Sequence, residues 1–226
     1  MKYNSSVRKM VGHTLMALCI FFVFQARSAG AAEESLGTSV FKFGGGIVSA
    51  FMIHEAAHQL AGWATGTRLD WKPGDINQPI EFEERSSSKG AGLAINAAGL
   101  VTQAIGAEVI LQYDKIDKND SYVRGMMFWN IINPITYVID YWFLHRTNSS
   151  DATGYKGDLQ GVEYYSDKKT SDVFAATLLA TAAFQGYRII KTQSWAPSWM
   201  KGDKLDKVGL VPLPSGGALM AYTSEF

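Results

Sequence analysis

Four stretches of the chain are almost free of charge, and polar segments separate them. From Phe43 to Gly66 only His54, Glu55 and His58 are ionisable. From Gly90 to Tyr113 the only charge is Glu108, and from Gly125 to Leu144 it is Asp140. From Val173 to Tyr187 there is none. The first three runs approach the ~20 residues that a helix needs to cross a hydrocarbon core, and the fourth is short for that. Each is rich in Gly, Ala, Ser and Thr, small residues that let membrane helices approach closely. The pattern predicts a mainly α protein with about four apolar, membrane-spanning helices. The competing reading is a compact soluble protein with the same helices buried, because several runs fall below spanning length.

Between the first two runs the period changes from helix to strand. Thr67-Arg-Leu-Asp-Trp71 and Pro79-Ile-Glu-Phe-Glu83 alternate polar and apolar residues, and Pro73-Gly74 and Asp75 supply turn chemistry. This predicts a small β-hairpin after the first helix. A second hairpin is predicted in the tail, where Val208-Gly-Leu-Val-Pro-Leu213 and Ala218-Leu-Met-Ala-Tyr-Thr223 flank Pro214-Ser-Gly-Gly217. The strands of both are candidates for one sheet. Gly44-Gly45-Gly46 lacks the spacing and the lysine of a phosphate cradle and reads as close helix packing.

The N-terminus carries a different signal. Lys2, Arg8 and Lys9 precede an apolar run from Met10 to Phe24, and Ala29-Gly30-Ala31 is an A-x-A cleavage step. Residues 1–31 therefore read as a secretory signal peptide, with an uncleaved anchor as the alternative. Residues 32–200 form the helical domain and 201–226 the hairpin tail. The only cysteine, Cys19, falls in the leader, which excludes a disulfide framework from the mature chain. The 226 residues hold 21 basic and 21 acidic side chains; losing Lys2, Arg8, Lys9 and Arg27 leaves 17 against 21. Such a balance excludes a bulk nucleic-acid binder.

The chemistry concentrates in His54-Glu-Ala-Ala-His58. Positions i and i+4 share a helix face, so both imidazoles can hold one metal ion. Glu55 is then placed to take a proton from a metal-held water, whose pKa zinc lowers to about 7. The leader takes away one of the four histidines, and two of the remaining three lie in this motif. Ionisable groups in an apolar run are costly, which makes function the default reading of the three.

The motif, followed by Gly62, Gly66 and a short hairpin, resembles the site-2 protease superfamily of membrane-embedded zinc peptidases. In that family a second helix carries an Ala-Ala-Gly-Pro-like step; Ala97-Ala98-Gly99-Leu100 stands in that place, with Leu for Pro and with Asn96 and Gln103 on the same segment. The similarity covers roughly residues 40 to 160. It implies Zn2+ as cofactor, Glu55 as general base and peptide-bond hydrolysis of a polypeptide, with membrane-spanning polypeptides among the candidate substrates.

The resemblance also implies an aspartate as third ligand, from an Asn-Pro-Asp-Gly or Leu-Asp-Gly setting that this chain splits apart. Asn133-Pro134 comes first, Asp140 follows, and Gly157-Asp158 comes later. Asp140 is a charge within an apolar run, or an acid at a helix end. Asp158 follows Gly157 in a polar segment, matching an unwound ligand segment better, or it is the N-cap of a helix from Leu159 to Tyr165. Asp151 and His145 are weaker candidates. Asn133 either orients substrate or braces the helix at Pro134, which removes a backbone bond. Glu108 reads as the partner of Arg124 or Arg188.

Three functional readings follow. The first is a small metallopeptidase of a bacterial-type cytoplasmic membrane, with an exported N-terminus and a lipid bilayer around its helices. Its hairpin at 67–89 and its loop at 145–171 would then face the same side. The second is a soluble or peripheral exported zincin, placed in the periplasm. The third is a non-catalytic membrane scaffold that keeps the metal for stability.

Overall fold

Ser35 opens the first helix, α1 (Leu36–Thr65), by accepting a hydrogen bond from the Thr38 amide. The helix ends at Gly66, whose φ of 69° is the left-handed conformation that glycine adopts without penalty. Capping repeats along the chain. Ser88 starts α2 (Lys89–Gln112), Asp120 starts α3 (Ser121–Ile139) and Asp167 starts α5 (Lys168–Thr192), each side chain accepting from an amide of the first turn. Between α3 and α5 lie a π-helical turn (Asp140–His145) and the short α4 (Asp158–Tyr165). This computed structural model describes residues 34–72, 79–84, 86, 88–145, 157–201 and 208–222. The leader, Asp151 and the turn at Pro73-Gly74 lie outside those residues.

The protein is mainly helical, with two small antiparallel strand pairs. Helices α1, α2 and α5 are long and apolar enough to cross a membrane. They account for three of the four predicted runs, but not in the predicted order of strength. The short run from Val173 to Tyr187 is extended at both ends into the 25-residue α5. The run from Gly125 to Leu144 is instead divided between α3 and the π-helical turn, and Asn130, Asn133 and Pro134 lower its apolar character. Four spans are therefore not what the described helices show.

Helices α1 and α3 run side by side in one direction and α2 and α5 in the other. Gly46 and Gly125 set the closeness of the α1–α3 crossing: a Cβ on Gly46 would lie 2.1 Å from Tyr122 O, and one on Gly125 2.0 Å from Phe43 O. At the same end Lys42 Nζ bridges Glu34 and Asp120 at 2.8 and 2.9 Å. One core cluster (Ala97, Leu100, Val138, Leu159, Phe174, Leu178) joins α2, α3, α4 and α5; a second (Ala107, Ile110, Met127, Ile189) lies toward the opposite end. Glu108 pairs with Arg188 at 2.7 Å, and Gln185 takes its other oxygen at 2.9 Å, so the predicted pairing goes to Arg188. Outward, α1 presents Phe41, Val48, Met52, Ile53, Leu60 and Trp63 to the surroundings, with Phe41 82% and Trp63 69% exposed. So continuous an apolar face is characteristic of a membrane or partner surface.

The first hairpin pairs β1 (Leu69–Trp71) with β2 (Ile80–Phe82), Leu69 opposite Phe82. The second pairs β3 (Val208–Pro212) with β4 (Ala218–Tyr222). The two pairs are separate sheets and not one, because the first follows the end of α1 while the second packs against α2 and α5.

Candidate metal centre

The α1 residues Gly46, Ala50, His54, His58 and Gly62 recur every fourth position and are all buried. Opposite them α2 offers a matching stripe, Ile95, Gly99 and Gln103. The Nδ1 of His58 donates to the Ile95 carbonyl at 2.6 Å, and the Nδ1 of His54 donates to Gln103 Oε1 at 3.0 Å. The same Gln103 oxygen accepts from Asn133 Nδ2 at 3.0 Å. With both Nδ1 atoms occupied as donors, each ring turns its Nε2 lone pair inward.

Those two Nε2 atoms lie 3.1 Å apart, and Asp158 Oδ2 stands 3.2 Å from His54 Nε2 and 3.5 Å from His58 Nε2. Ligands at ~2.0–2.1 Å from a tetrahedral zinc are about 3.3 Å from one another. The aspartate oxygen is buried and yet accepts no properly directed hydrogen bond. Three acceptors thus converge on one point, an arrangement that a shared cation would neutralise. The donor set of two imidazoles and one carboxylate is one that zinc accepts in sites that keep a fourth position open. Without a metal, a proton on the imidazoles takes the cation's place: burial opposes the charge on Asp158, but the positive charge on the adjoining His58 and His54 outweighs it and holds its carboxyl below the usual range. The carboxylate is therefore ionised, as a ligand must be.

Local geometry explains how Asp158 arrives. Gly157 holds the N-cap position of α4 at φ 107°, so Asp158 is the first helical residue rather than the cap, and its side chain is left to face the histidines. A Cβ on Gly161 would fall 1.8 Å from Asn96 Oδ1, so glycine there lets α4 lie flat on α2.

The other candidates are placed elsewhere. Asp140 is not brought to the cluster; its Oδ2 accepts from Gln160 Nε2 at 3.2 Å at the start of the π-helical turn. Asn133 donates its amide Nδ2 to Gln103 Oε1, the oxygen that also holds His54, and it is not among the residues that line the cleft into which the cluster opens. Glu55 lines that cleft, with Oε1 4.0 Å from His54 Nε2. Asp158, Tyr137 and β2 residues Ile80, Glu81 and Phe82 form other parts of the wall. The hairpin and the segment at 157–158 thus meet at one end of the bundle. Two contributors carried no role in the sequence reading: Gln103, and Tyr137, whose ring stacks on His54 at 6.0 Å. A polar residue eight positions after Ile95 on the same helix face was the available signal for Gln103.

Comparisons with protein-family models, curated protein sequences and solved structures find no match to this chain.

Gly99 gives a direct check on the site. A Cβ there would lie 2.5 Å from the Nε2 of both His54 and His58. Gly99→Ala should displace both rings and lower metal affinity by at least the ~10–100-fold typical of disturbed ligand orientation. Gly90→Ala is the control, since its Cβ would meet nothing closer than 3.9 Å. Metal content after dialysis against a weak chelator measures the difference.

Proposed function

We propose that this chain is a small membrane zinc metallopeptidase of the kind that the site-2 proteases represent. The observation that carries the proposal is the convergence of His54 Nε2, His58 Nε2 and the unbonded Asp158 Oδ2 on one point beside Glu55. His54, His58 and Asp158 would hold zinc, which supplies Lewis-acid chemistry and makes water nucleophilic near neutral pH. Glu55 would act as general base: its carboxylate takes a proton from the attacking water and passes it to the departing amine. Gln103 and the Ile95 carbonyl keep the two imidazoles in the tautomer that ligation requires, and Asn133 keeps Gln103 in place.

A polypeptide must be extended to be cut. Among the described residues strand β2 pairs with β1 alone, which leaves its other edge without a strand partner there, and its residues line the cleft beside Glu55. The reading therefore has the substrate add as a strand along Ile80–Phe82, its backbone held by main-chain hydrogen bonds. The exposed apolar face of α1 supports a bilayer setting for the whole helical unit.

Metal removal tests the activity. Purified protein should hydrolyse an unfolded polypeptide, lose that activity on chelation and regain it with one equivalent of zinc. Hydrolysis unchanged by a chelator that strips the metal would overturn the reading.

A further inference from the structure

One polar side chain in the cleft beside the cluster has no part in holding metal or in moving the proton. Tyr137 lies one turn after Asn133 on α3, so the two share a face. Asn133 holds Gln103 there, while the Tyr137 ring lies nearly parallel to His54, with centroids 6.0 Å apart and planes inclined by 26°. The outer end of the ring reaches the segment that brings the third ligand. A Cβ on Gly157 would stand 3.7 Å from Tyr137 Cε1, the carbon next to the one that bears the hydroxyl. The ring therefore extends from His54 to the residue before Asp158. It is half-buried and lines the cleft together with Glu55. Its hydroxyl donates to none of the described residues.

A buried phenol ordinarily finds a hydrogen-bond partner. The rest of the wall shows which kind of partner is wanting. Glu55, Glu81 and Asp158 bring carboxylates, which only accept when ionised. His58 spends its Nδ1 proton on the Ile95 carbonyl, and Asn96 donates to the Gly92 carbonyl at 2.7 Å. The remaining described side chains of the wall are apolar. Tyr137 is thus the one uncommitted side-chain donor among the described residues that line the cleft.

Peptide hydrolysis creates the need for such a donor. As the water oxygen bonds to the carbonyl carbon, Glu55 takes the water's proton and the carbonyl π pair moves onto the carbonyl oxygen, which becomes an oxyanion. When the C–N bond breaks, that pair returns to re-form the carbonyl, and the proton on Glu55 goes to the departing amine. A donor aimed at this oxygen stabilises a charge that exists only along the reaction. A lysine or arginine in this wall would pair with Glu55 and blunt the base, whereas a phenol donates while remaining neutral.

We propose that Tyr137 is a catalytic residue of this site, its hydroxyl donating to the oxyanion that forms on the scissile carbonyl. The inference rests on the peptidase reading.

Tyr137→Phe tests it, because the substitution removes the hydroxyl and keeps the ring on His54. Hydrolysis of an unfolded polypeptide is measured on the full chain beside zinc content and affinity for a phosphinic peptide, whose tetrahedral phosphorus presents an oxygen where the oxyanion would be. The expected result is a fall in kcat of about 10²- to 10³-fold and a comparable loss of affinity for the phosphinic peptide. KM should stay within about twofold of the wild-type value, and zinc content should be unchanged. A rate within about twofold of wild type, or undiminished binding of the phosphinic peptide, would overturn the proposal. Loss of zinc in step with the rate would overturn it as well, since the ring would then serve only to hold His54. If Tyr137→Phe does not fold, a crystal structure of the wild-type chain with the phosphinic peptide decides. The hydroxyl should lie about 2.7–3.1 Å from a phosphinyl oxygen, and a hydroxyl turned elsewhere defeats the assignment. The two levels remain distinct. A wild-type chain that holds zinc and hydrolyses no polypeptide defeats the peptidase reading and this inference together, whereas a hydrolysing chain indifferent to Tyr137→Phe defeats this inference alone.

Discussion

Asp158→Ala should lower metal affinity of the purified chain by more than ~100-fold, and Asp140→Ala should leave it near the wild-type value. The lower bound comes from comparison with weaker disturbances, since loss of a group that merely orients a ligand costs about 10–100-fold. Asp158 Oδ2 is 3.2 and 3.5 Å from the two ring nitrogens, whereas the Asp140 carboxylate is bonded to Gln160 Nε2. His54→Ala should match Asp158→Ala. The measurement is zinc per chain after equilibration with a graded chelator. Loss of metal from Asp140→Ala with retention in Asp158→Ala would reverse the assignment and require the segment at 157–165 to be rearranged.

The second large effect is on rate. Glu55→Gln keeps the size and shape of the side chain and removes its basicity, so kcat/KM for polypeptide hydrolysis should fall by about 10²- to 10⁴-fold. Metal content should be unchanged, because Glu55 Oε1 lies 4.0 Å from the nearer ring nitrogen and outside the group of three convergent atoms. The pair of readouts separates catalysis from scaffolding. If Glu55→Gln leaves the biological function intact while His54→Ala unfolds the chain, the metal serves stability and the peptidase reading fails.

Sequence periodicity reached a good part of this arrangement. The i, i+4 spacing of His54 and His58 follows from helix geometry, and both strand pairs were legible from alternation and turn residues. Gly46 in its glycine run does pack a helix crossing. The choice between Asp158 and Asp140 was only tilted by local pattern, through the Gly157-Asp158 step in a polar segment. It depends on Gly157 entering α4 at a positive φ and on Gly161 lying against Asn96, which are tertiary facts about two segments more than sixty residues apart in sequence. The division of the run at 125–144 was likewise hidden. A stretch with a single charge looks apolar by that criterion even when two asparagines and a proline interrupt it. Asn133 was a candidate for substrate contact on its chain position, and only the packing of α2 against α3 shows its amide turned toward Gln103.

The three convergent atoms come from positions 54, 58 and 158, with the orienting groups at 95, 103 and 133 between the histidines and the aspartate. The order of synthesis gives this spacing a consequence. When the histidines leave the ribosome, neither the carbonyl nor the amides that aim them yet exist in the chain, and the aspartate is the last piece to be made. A nascent chain stopped before residue 158 offers only two loosely oriented imidazoles, a poor competitor for zinc. Metal uptake would thereby be postponed until residue 158 is in place, and the enzyme proposed here would stay inert until that point of its own synthesis.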